Sequence, residues 1–324
     1  MAEIIPLPQQ HGADYSDWLP TIVRITELVR STNSEGLVEN EARIFHGEFH
    51  GRVRWVSQHP DTRLRKGHLA RVEWLPRFKG GDPAIPIMRL VHLECVSHSL
   101  NLFDTVPTEW VKDRELLAKA GRLWQSMPDD HRAFFNELLW DSRRFYLFLT
   151  VPASINGHHN QWNGNLAHSV DVALRAAAIG GGTEGVSLPL LTLAGLIHDA
   201  GKAEEYRWSG KYWERTETGS LIGHKDVLKG WIGAVSGGHR DLLPVSVVQA
   251  LWHTLFLARN APAYLDIRES CMLEADMLSM ADRLSGTSDL HARNIDPQGG
   301  FGARHEHLRA RPYRLPMNDR SPGV

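Results

Sequence analysis

The sequence predicts a mainly α-helical fold, in which an all-α helical bundle follows a small β-barrel or sandwich. Residues before about 105 form short strand-like stretches separated by turns, whereas apolar residues after Phe103 recur at helical spacing. The chain has 324 residues, with 42% hydrophobic and 23% charged content, which is ordinary for a globular protein. At roughly 150 residues per domain, this length predicts two domains.

The first half has a β texture after a flexible lead-in at 1–17. Residues 18–105 are assigned to a β-rich domain, in which "LPTIVRITELVR" fits either a short helix or a first strand. Turn-rich segments separate the clearer strands, because Gly, Pro and Asp favour reversals of the chain. These strands are "ARIFHGEFHGRVRWVS", "GHLARVEWL" and "IPIMRLVHLECV".

The second half is predicted to be helical, with a connector at 106–150, a helical domain at 151–300 and a polar, Pro-rich tail at 301–324. Ser187 fits a helix N-cap, and Pro189 fits the first turn of the same helix. The helical segments are "DRELLAKAGRLWQSM", "DHRAFFNELLWDSRRFYLFL", "NLAHSVDVALRAAAIG", "SLPLLTLAGLIHDAG", "GHKDVLKGWIGAVS", "PVSVVQALWHTLF" and "RESCMLEADMLSMADRLSG".

Charge and cysteine content narrow the class of protein. The net charge of −2 argues mildly against nucleic-acid binding through bulk electrostatics but leaves a local basic groove open. Cys95 and Cys271 form no disulfide framework or paired metal motif, which fits a reducing cytosol. With neither a signal-like start nor a membrane-length apolar run, we expect a cytoplasmic protein that does not bind membranes. The oligomeric state stays open.

The helical half also carries His and Asp residues on otherwise apolar helices or at helix starts. Buried ionisable groups are costly unless something pairs with them, and side chains from several helices of a bundle can converge on one metal. Each residue taken singly has an ordinary structural explanation: a core histidine, a helix cap or a solvated lysine. Together they predict a metal site whose candidate ligands are His168, His198, Asp199, His224, His253 and Asp282.

Imidazole and carboxylate donors suit Mn, Fe, Co, Ni or Zn ions. A carboxylate can bridge two cations, and two cations roughly 3.5–4 Å apart can clamp a phosphoryl oxygen during hydrolysis. We therefore expect two divalent ions, manganese first among them, with Asp199 as the bridge. Asp199 and Lys202 are the predicted catalytic residues, and Lys202 is expected to assist at the phosphate.

With these residues in place, the chain resembles the HD superfamily of metal-dependent phosphohydrolases, whose pattern is H…HD…D. "HDAGK" resembles the common HD-x-G-K form. The resemblance implies that His168, His198, Asp199 and Asp282 are the core ligands of an all-α HD domain. It assigns His224 and His253 to a second ion, as in binuclear members.

The stretch "GHHNQWNGNLAHSVDVAL" is similar to the YhaM-type 3′→5′ exoribonucleases, in which an OB-fold domain precedes the HD domain. The resemblance therefore implies an OB-like barrel at the N-terminal end. Thr254 stands where that family commonly has a second His, and Asn165 where it has a second Gly. The HD-containing relaxases of conjugative elements, of the MOBH type, share the paired His and HD-x-G-K pattern.

The expected function is metal-dependent phosphodiester hydrolysis on single-stranded RNA or DNA, as a 3′→5′ exonuclease. A phosphohydrolase of small nucleotides, a DNA-processing protein of a mobile element and a non-catalytic binding module are the alternatives. A strand could be held by base stacking and phosphate contacts. The residues expected to bind substrate are His158, His159, Lys202, Arg65 and Lys66. The aromatics expected to stack on bases are Phe49, Trp55 and Trp74. The cations expected to guide the strand are Arg304, Arg309, Arg311 and Arg314. Arg63 fits a solvated turn better.

Overall fold

The computed structural model describes residues 19–75, 84–238, 242–257 and 269–316. The predicted lead-in at 1–17 lies outside the described residues. Helices contain 43% and strands 20% of the chain, so the fold is mixed and the mainly α prediction is wrong. The reason lies in the strands: the first alone has 11 residues, and two short hairpins that the sequence did not suggest add to the strand content.

Five strands close into a barrel in the order β1-β2-β3-β5-β4. All neighbouring pairs are antiparallel except β3 with β5, which is parallel. The ambiguous "LPTIVRITELVR" forms strand β1, in which Val23 and Ile25 are buried in the barrel core and Val29 is exposed. The strands are β1 (Ile22–Thr32), β2 (Val38–His46), β3 (Phe49–Ser57), β4 (Leu69–Trp74) and β5 (Ile85–His92).

Beside the apolar barrel core lies the fully buried guanidinium of Arg24. Its Nη2 donates to the Thr105 hydroxyl at 2.7 Å, and its Nη1 donates to the Gly67 carbonyl at 2.7 Å. Burial lowers the pKa of Arg24 to about 9, which still leaves the side chain charged at neutral pH. Because a buried charge is costly unless it is hydrogen-bonded, these bonds fix the loop after β5 and the turn before β4 against β1.

Two compact units make up the chain: 1–121 with 139–146, and 122–138 with 147–324. The first contains the barrel, and the second contains most of the helices. The unit boundaries fall inside the first three helices, in the region predicted as a helical connector. That region forms α1 (Arg114–Ser126), α2 (Asp129–Leu139) and α3 (Ser142–Thr150).

The helical unit continues with seven more helices among the described residues. Ser187 caps the second of them as predicted, since its hydroxyl accepts the N–H of Leu190. The short α7 and the hairpins were not foreseen, and one hairpin lies in the predicted tail. The elements are α4 (Gly164–Gly180), α5 (Leu188–Ile197), α6 (Lys202–Glu205), β6 (Tyr206–Trp208), β7 (Trp213–Arg215), α7 (Glu217–Leu221), α8 (His224–Ser236), α9 (Val245–Phe256), α10 (Leu273–Asn294), β8 (Gly300–Phe301) and β9 (Tyr313–Arg314).

No helix in the described part of the chain combines the length and the apolar character that crossing a membrane requires.

Candidate metal centre

Close packing of α4 on α5 brings two histidines together. A Cβ on Gly195 would lie 2.5 Å from the Cα of Ala173, so only glycine allows this helix approach. His168 projects from α4 and is fully buried, and His198 is the residue that ends α5. Their Nε2 atoms lie 3.2 Å apart.

Asp282, on α10, completes a group that could hold a metal ion. Its Oδ1 lies 3.0 Å from His168 Nε2 and 3.9 Å from His198 Nε2. All three ligand atoms lie within 4.8 Å of one another. The Asp282 side chain is 49% exposed, which leaves the group open to solvent on that side. Two imidazoles and a carboxylate form the donor set that divalent transition metals prefer.

The other ring nitrogens orient both histidines for this role. His198 Nδ1 lies 2.8 Å from the Gly195 carbonyl oxygen, and since a carbonyl can only accept, Nδ1 carries the proton. His168 Nδ1 lies 3.1 Å from the Ser285 hydroxyl. Burial lowers the pKa of His198, although Asp199 opposes this effect. The His198 Nε2 lone pair is therefore directed into the group, as in a ligand histidine fixed by an outer hydrogen bond.

Asp199 lies at the centre of the cluster, and Lys202 is its strongest partner. Asp199 Oδ2 accepts from Lys202 Nζ at 2.5 Å and lies 3.5 Å and 3.4 Å from the Nε2 atoms of His168 and His198. Both side chains of the Lys202–Asp199 pair are buried. Burial alone would raise the pKa of Asp199, but the charges of Lys202 and the imidazoles hold it well below its ordinary value. Burial would lower the pKa of Lys202, yet Asp199 raises it. Both groups are therefore charged at neutral pH.

His224 extends the cluster on the far side of Asp199. Its Nε2 lies 3.3 Å from Asp199 Oδ1, and its Nδ1 lies 2.6 Å from Glu205 Oε2. Gly201 explains the glycine of "HDAGK", because a Cβ there would lie 2.0 Å from the His224 carbonyl oxygen. The two oxygens of Asp199 thus face separate groups of imidazoles, the arrangement needed for a bridging carboxylate.

The paired histidines form a wall beside the group. Their rings pack on that of His168 at centroid distances of 4.8 Å for His158 and 5.4 Å for His159. Burial lowers the pKa of each to about 4, so both are neutral at pH 7. His158 Nε2 is buried and has no hydrogen-bond partner among the described residues. Gly286 admits this ring, since a Cβ there would lie 3.1 Å from His158 Nδ1.

The His159 backbone is held by α10. Its φ of 43° is unusual for a residue with a side chain, and its N–H donates to Asp289 Oδ2 at 2.8 Å. Arg293, one turn further along α10, donates to the same carboxylate oxygen at 2.6 Å and to the Gly157 carbonyl at 2.7 Å. The helix that carries Asp282 therefore also fixes the turn that carries both histidines.

Of the six predicted ligands, His253 is the one that the structure places elsewhere. Its Nε2 accepts the backbone N–H of Cys271 at 2.9 Å, so that lone pair is already used. The neighbouring Thr254 is buried, and its hydroxyl has no hydrogen-bond partner among the described residues. The structure therefore does not support His253 as a ligand of a second ion.

The three predicted strand-binding aromatics lie on the inward face of their strands, which corrects the expectation of base stacking for Trp55. Trp55 is 7% exposed and belongs to the barrel core, so its ring is not available to stack on bases. Phe49 and Trp74 are partly buried and pack against that core and against each other, with ring centroids 6.0 Å apart. Strand alternation places all three on the same side as the core residues of β3 and β4.

The predicted cations of the barrel unit have different surroundings. Arg65 is exposed and donates to the Thr62 carbonyl. Lys66 is exposed and lines an open cavity of about 660 Å³. Arg63 pairs with Asp61 and Glu94, which fits the solvated turn expected for it.

Among the four predicted cations of the tail, Arg311 contacts the β8–β9 hairpin. Arg311 Nε donates to the Gly302 carbonyl at 2.9 Å, and its guanidinium lies over the Phe301 ring at 5.4 Å. A strand-guiding role for Arg304, Arg309, Arg311 and Arg314 stays a prediction.

The sequence did not predict three residues that support the metal centre. Ser285 and Asp289 follow Asp282 at i+3 and i+7, a spacing that puts them on the same face of α10. That spacing was a usable signal. Glu205 gave none, because its partner His224 lies across a turn and a hairpin.

In comparison with known proteins, the chain matches no family model, no curated protein and no solved structure.

Proposed function

We propose that this protein is a metal-dependent phosphodiesterase that acts on single-stranded nucleic acid and removes nucleotides from the 3′ end. One observation carries the proposal: His168, His198 and Asp282 form a donor group that could hold a divalent ion, and the buried Asp199–Lys202 pair lies against it. The direction of digestion and the choice of a nucleic acid come from the resemblance to the YhaM-type enzymes.

The donor chemistry fits a bound ion. His168 and His198 would hold it through Nε2, and Asp282 would hold it through a carboxylate oxygen. When bound, such an ion lowers the pKa of water and neutralises charge on phosphoryl oxygens. Asp199 faces His168 and His198 with one oxygen and His224 with the other, so it is the residue suited to join a second ion to the first.

The chain itself supplies the remaining electrostatics. Lys202 keeps a positive charge inside the cluster, where a low local dielectric strengthens its attraction for an anionic phosphate. His158 presents a buried Nε2 without a partner among the described residues, which could bond to a phosphate oxygen. We assign Lys202 and His158 to substrate phosphate binding, and His159 to the wall that positions them.

A second candidate, hydrolysis of small nucleotides, is favoured by one observation. Of the aromatics expected to hold a strand on the barrel, Trp55 is buried in its core and Phe49 and Trp74 are partly buried against it, so this support for a long substrate is weakened. The open side of the metal centre at Asp282 would admit a free nucleotide as well as a strand end.

The test is digestion of a single-stranded RNA and a DNA of about 20 nucleotides, each labelled at the 5′ end, with Mn²⁺ and several other divalent ions. We expect a ladder that shortens from the 3′ end and does not form in EDTA. Internal nicking, or hydrolysis of free nucleotides with intact strands, would contradict the proposal.

Asp282→Asn is the informative variant, because half of this side chain is exposed and the fold should tolerate the change. Asp226→Asn is the matched control, since Asp226 is an exposed residue on α8 whose carboxylate accepts from Lys229 Nζ at 2.7 Å. We expect the first variant to lose metal binding and digestion and the second to keep both. Equal activity of the two variants would place the reaction elsewhere.

A further inference from the structure

Three tryptophans form a surface cluster in the helical unit. Trp162, Trp208 and Trp213 are mutually in contact, with ring centroids 5.1 Å apart for Trp162–Trp213, 6.0 Å for Trp162–Trp208 and 5.3 Å for Trp208–Trp213. We call them the tryptophan cluster. Nothing in the metal centre uses them.

Two separate pieces of chain build this cluster. Trp162 lies on the turn between the paired histidines and α4, and Trp208 and Trp213 are directly opposite each other in the β6–β7 hairpin. The hairpin follows α6 without a linker. Cross-strand aromatic pairs stabilise such two-stranded hairpins, so part of the cluster has a structural role.

A structural role alone does not explain the large exposed fraction of the tryptophan side chains. Trp208 is 46% exposed and Trp162 is 40% exposed. Large aromatic side chains that stay exposed side by side indicate a binding surface. Lys211, also exposed on this hairpin, adds a cationic group beside it, whereas Arg207 is paired with Glu214.

The cluster is continuous with the metal centre along both pieces of chain. Trp162 follows His159 by three residues, and Trp208 follows Glu205, the partner of His224, by three residues. Three residues span at most about 11 Å of chain. The tryptophan cluster therefore lies within a few nucleotides of the metal centre, given a rise of about 3.4 Å per stacked nucleotide.

We propose that the tryptophan cluster is a stacking platform for the bases of a single strand whose end lies at the metal centre. The inference rests on the proposed function and specifies its substrate as an unpaired strand several nucleotides long. Tryptophan faces suit this occupant because every base offers a π-face, so stacking tolerates any sequence. The cluster also gives the helical unit a strand-holding surface of its own, which the buried aromatics of the barrel do not provide.

The test measures binding separately from hydrolysis. A fluorescein-labelled single strand of about 15 nucleotides is titrated with full-length protein in EDTA, and its anisotropy gives the dissociation constant. Trp208→Ala should weaken binding about 5- to 150-fold, the range measured for loss of one stacked base. Trp208→Phe should recover part of the affinity, because a smaller ring still stacks.

Tyr212→Ala is the matched control, since Tyr212 is an exposed aromatic on the same hairpin but makes none of the cluster's ring contacts. It should bind the strand nearly as wild type does. Hydrolysis of bis(p-nitrophenyl) phosphate with Mn²⁺ should be the same in all four proteins, because this small diester does not reach the platform. Wild-type affinity in Trp208→Ala, or equal weakening in Tyr212→Ala, would overturn the inference.

The same data separate this inference from the proposed function. If wild type digests strands and Trp208→Ala digests them equally well, the platform is refuted while the proposed function stands. If wild type hydrolyses neither substrate with any metal, yet Trp208→Ala still weakens strand binding, the hydrolase proposal fails while the platform stands.

Discussion

Replacing Lys202 with methionine would test the electrostatics of the metal centre most directly. Methionine keeps most of the side-chain length and removes the charge, so Asp199 is left as a buried carboxylate without its ammonium partner. We expect the metal-free protein to lose about 3 kcal/mol of unfolding free energy, near the lower end of the range for breaking a buried ion pair.

The magnitude follows from the contacts of Asp199. At the 2.5 Å separation of Lys202 Nζ and Asp199 Oδ2, the gross attraction is about 7 kcal/mol at an effective dielectric constant of 20. Relief of the desolvation of Lys202 offsets part of this loss. This offset brings the expected loss to the lower end of the range.

The assay is urea unfolding in EDTA at pH 7, followed by circular dichroism, for wild type, Lys202→Met, Asp199→Asn and the double variant. Because each single change leaves a partner unpaired, the double variant should be more stable than the sum of the two losses predicts. Adding Mn²⁺ should stabilise Lys202→Met more than wild type, since a bound cation replaces the missing ammonium. Strict additivity, or a loss below about 0.5 kcal/mol in Lys202→Met, would refute the reasoning.

Three further predictions follow from the same cluster. Gly201→Ala should destabilise the protein by more than about 3 kcal/mol in thermal unfolding, because the new Cβ would lie 2.0 Å from a backbone oxygen that cannot move away alone; a stable variant would contradict this packing. Glu205→Gln should weaken Mn²⁺ binding about 10- to 100-fold in calorimetry, because Glu205 orients His224 as a metal ligand. His253→Gln should leave Mn²⁺ binding unchanged. If His253→Gln weakened binding and Glu205→Gln did not, His253 would be a ligand, as the sequence predicted. Metal-free stability should fall as the pH is lowered from about 6.5 to about 4, because the pKa of His159 is lowered to about 4 by burial and the unfolded state therefore takes up the proton first. His159→Asn should make this part of the urea-midpoint profile shallower, while His158, whose pKa is also lowered to about 4, keeps contributing to it; an unchanged slope would show that His159 does not contribute.

The sequence by itself indicated most of the residues that form the cluster, and the reason is local. Histidines and aspartates inside apolar helices are costly unless they pair, so "LIHDAGK" and "SMADRLS" mark a site before any fold is known. The sequence also predicted the capping of α5 by Ser187 and the strands of the barrel, because turn chemistry and residue periodicity depend on only a few neighbouring residues.

Only the tertiary structure decided which neighbours these residues meet. Periodicity shows that a side chain faces inward, but it does not show what lies opposite. Trp55 therefore turned out to lie in the core of a closed barrel, and His253 turned out to bond to the Cys271 backbone. The partnership of Glu205 with His224, and the meeting of Trp162 with the β6–β7 hairpin, arise from chain segments brought together by packing. Such contacts depend on the summed burial of the whole unit, which no short stretch of sequence encodes.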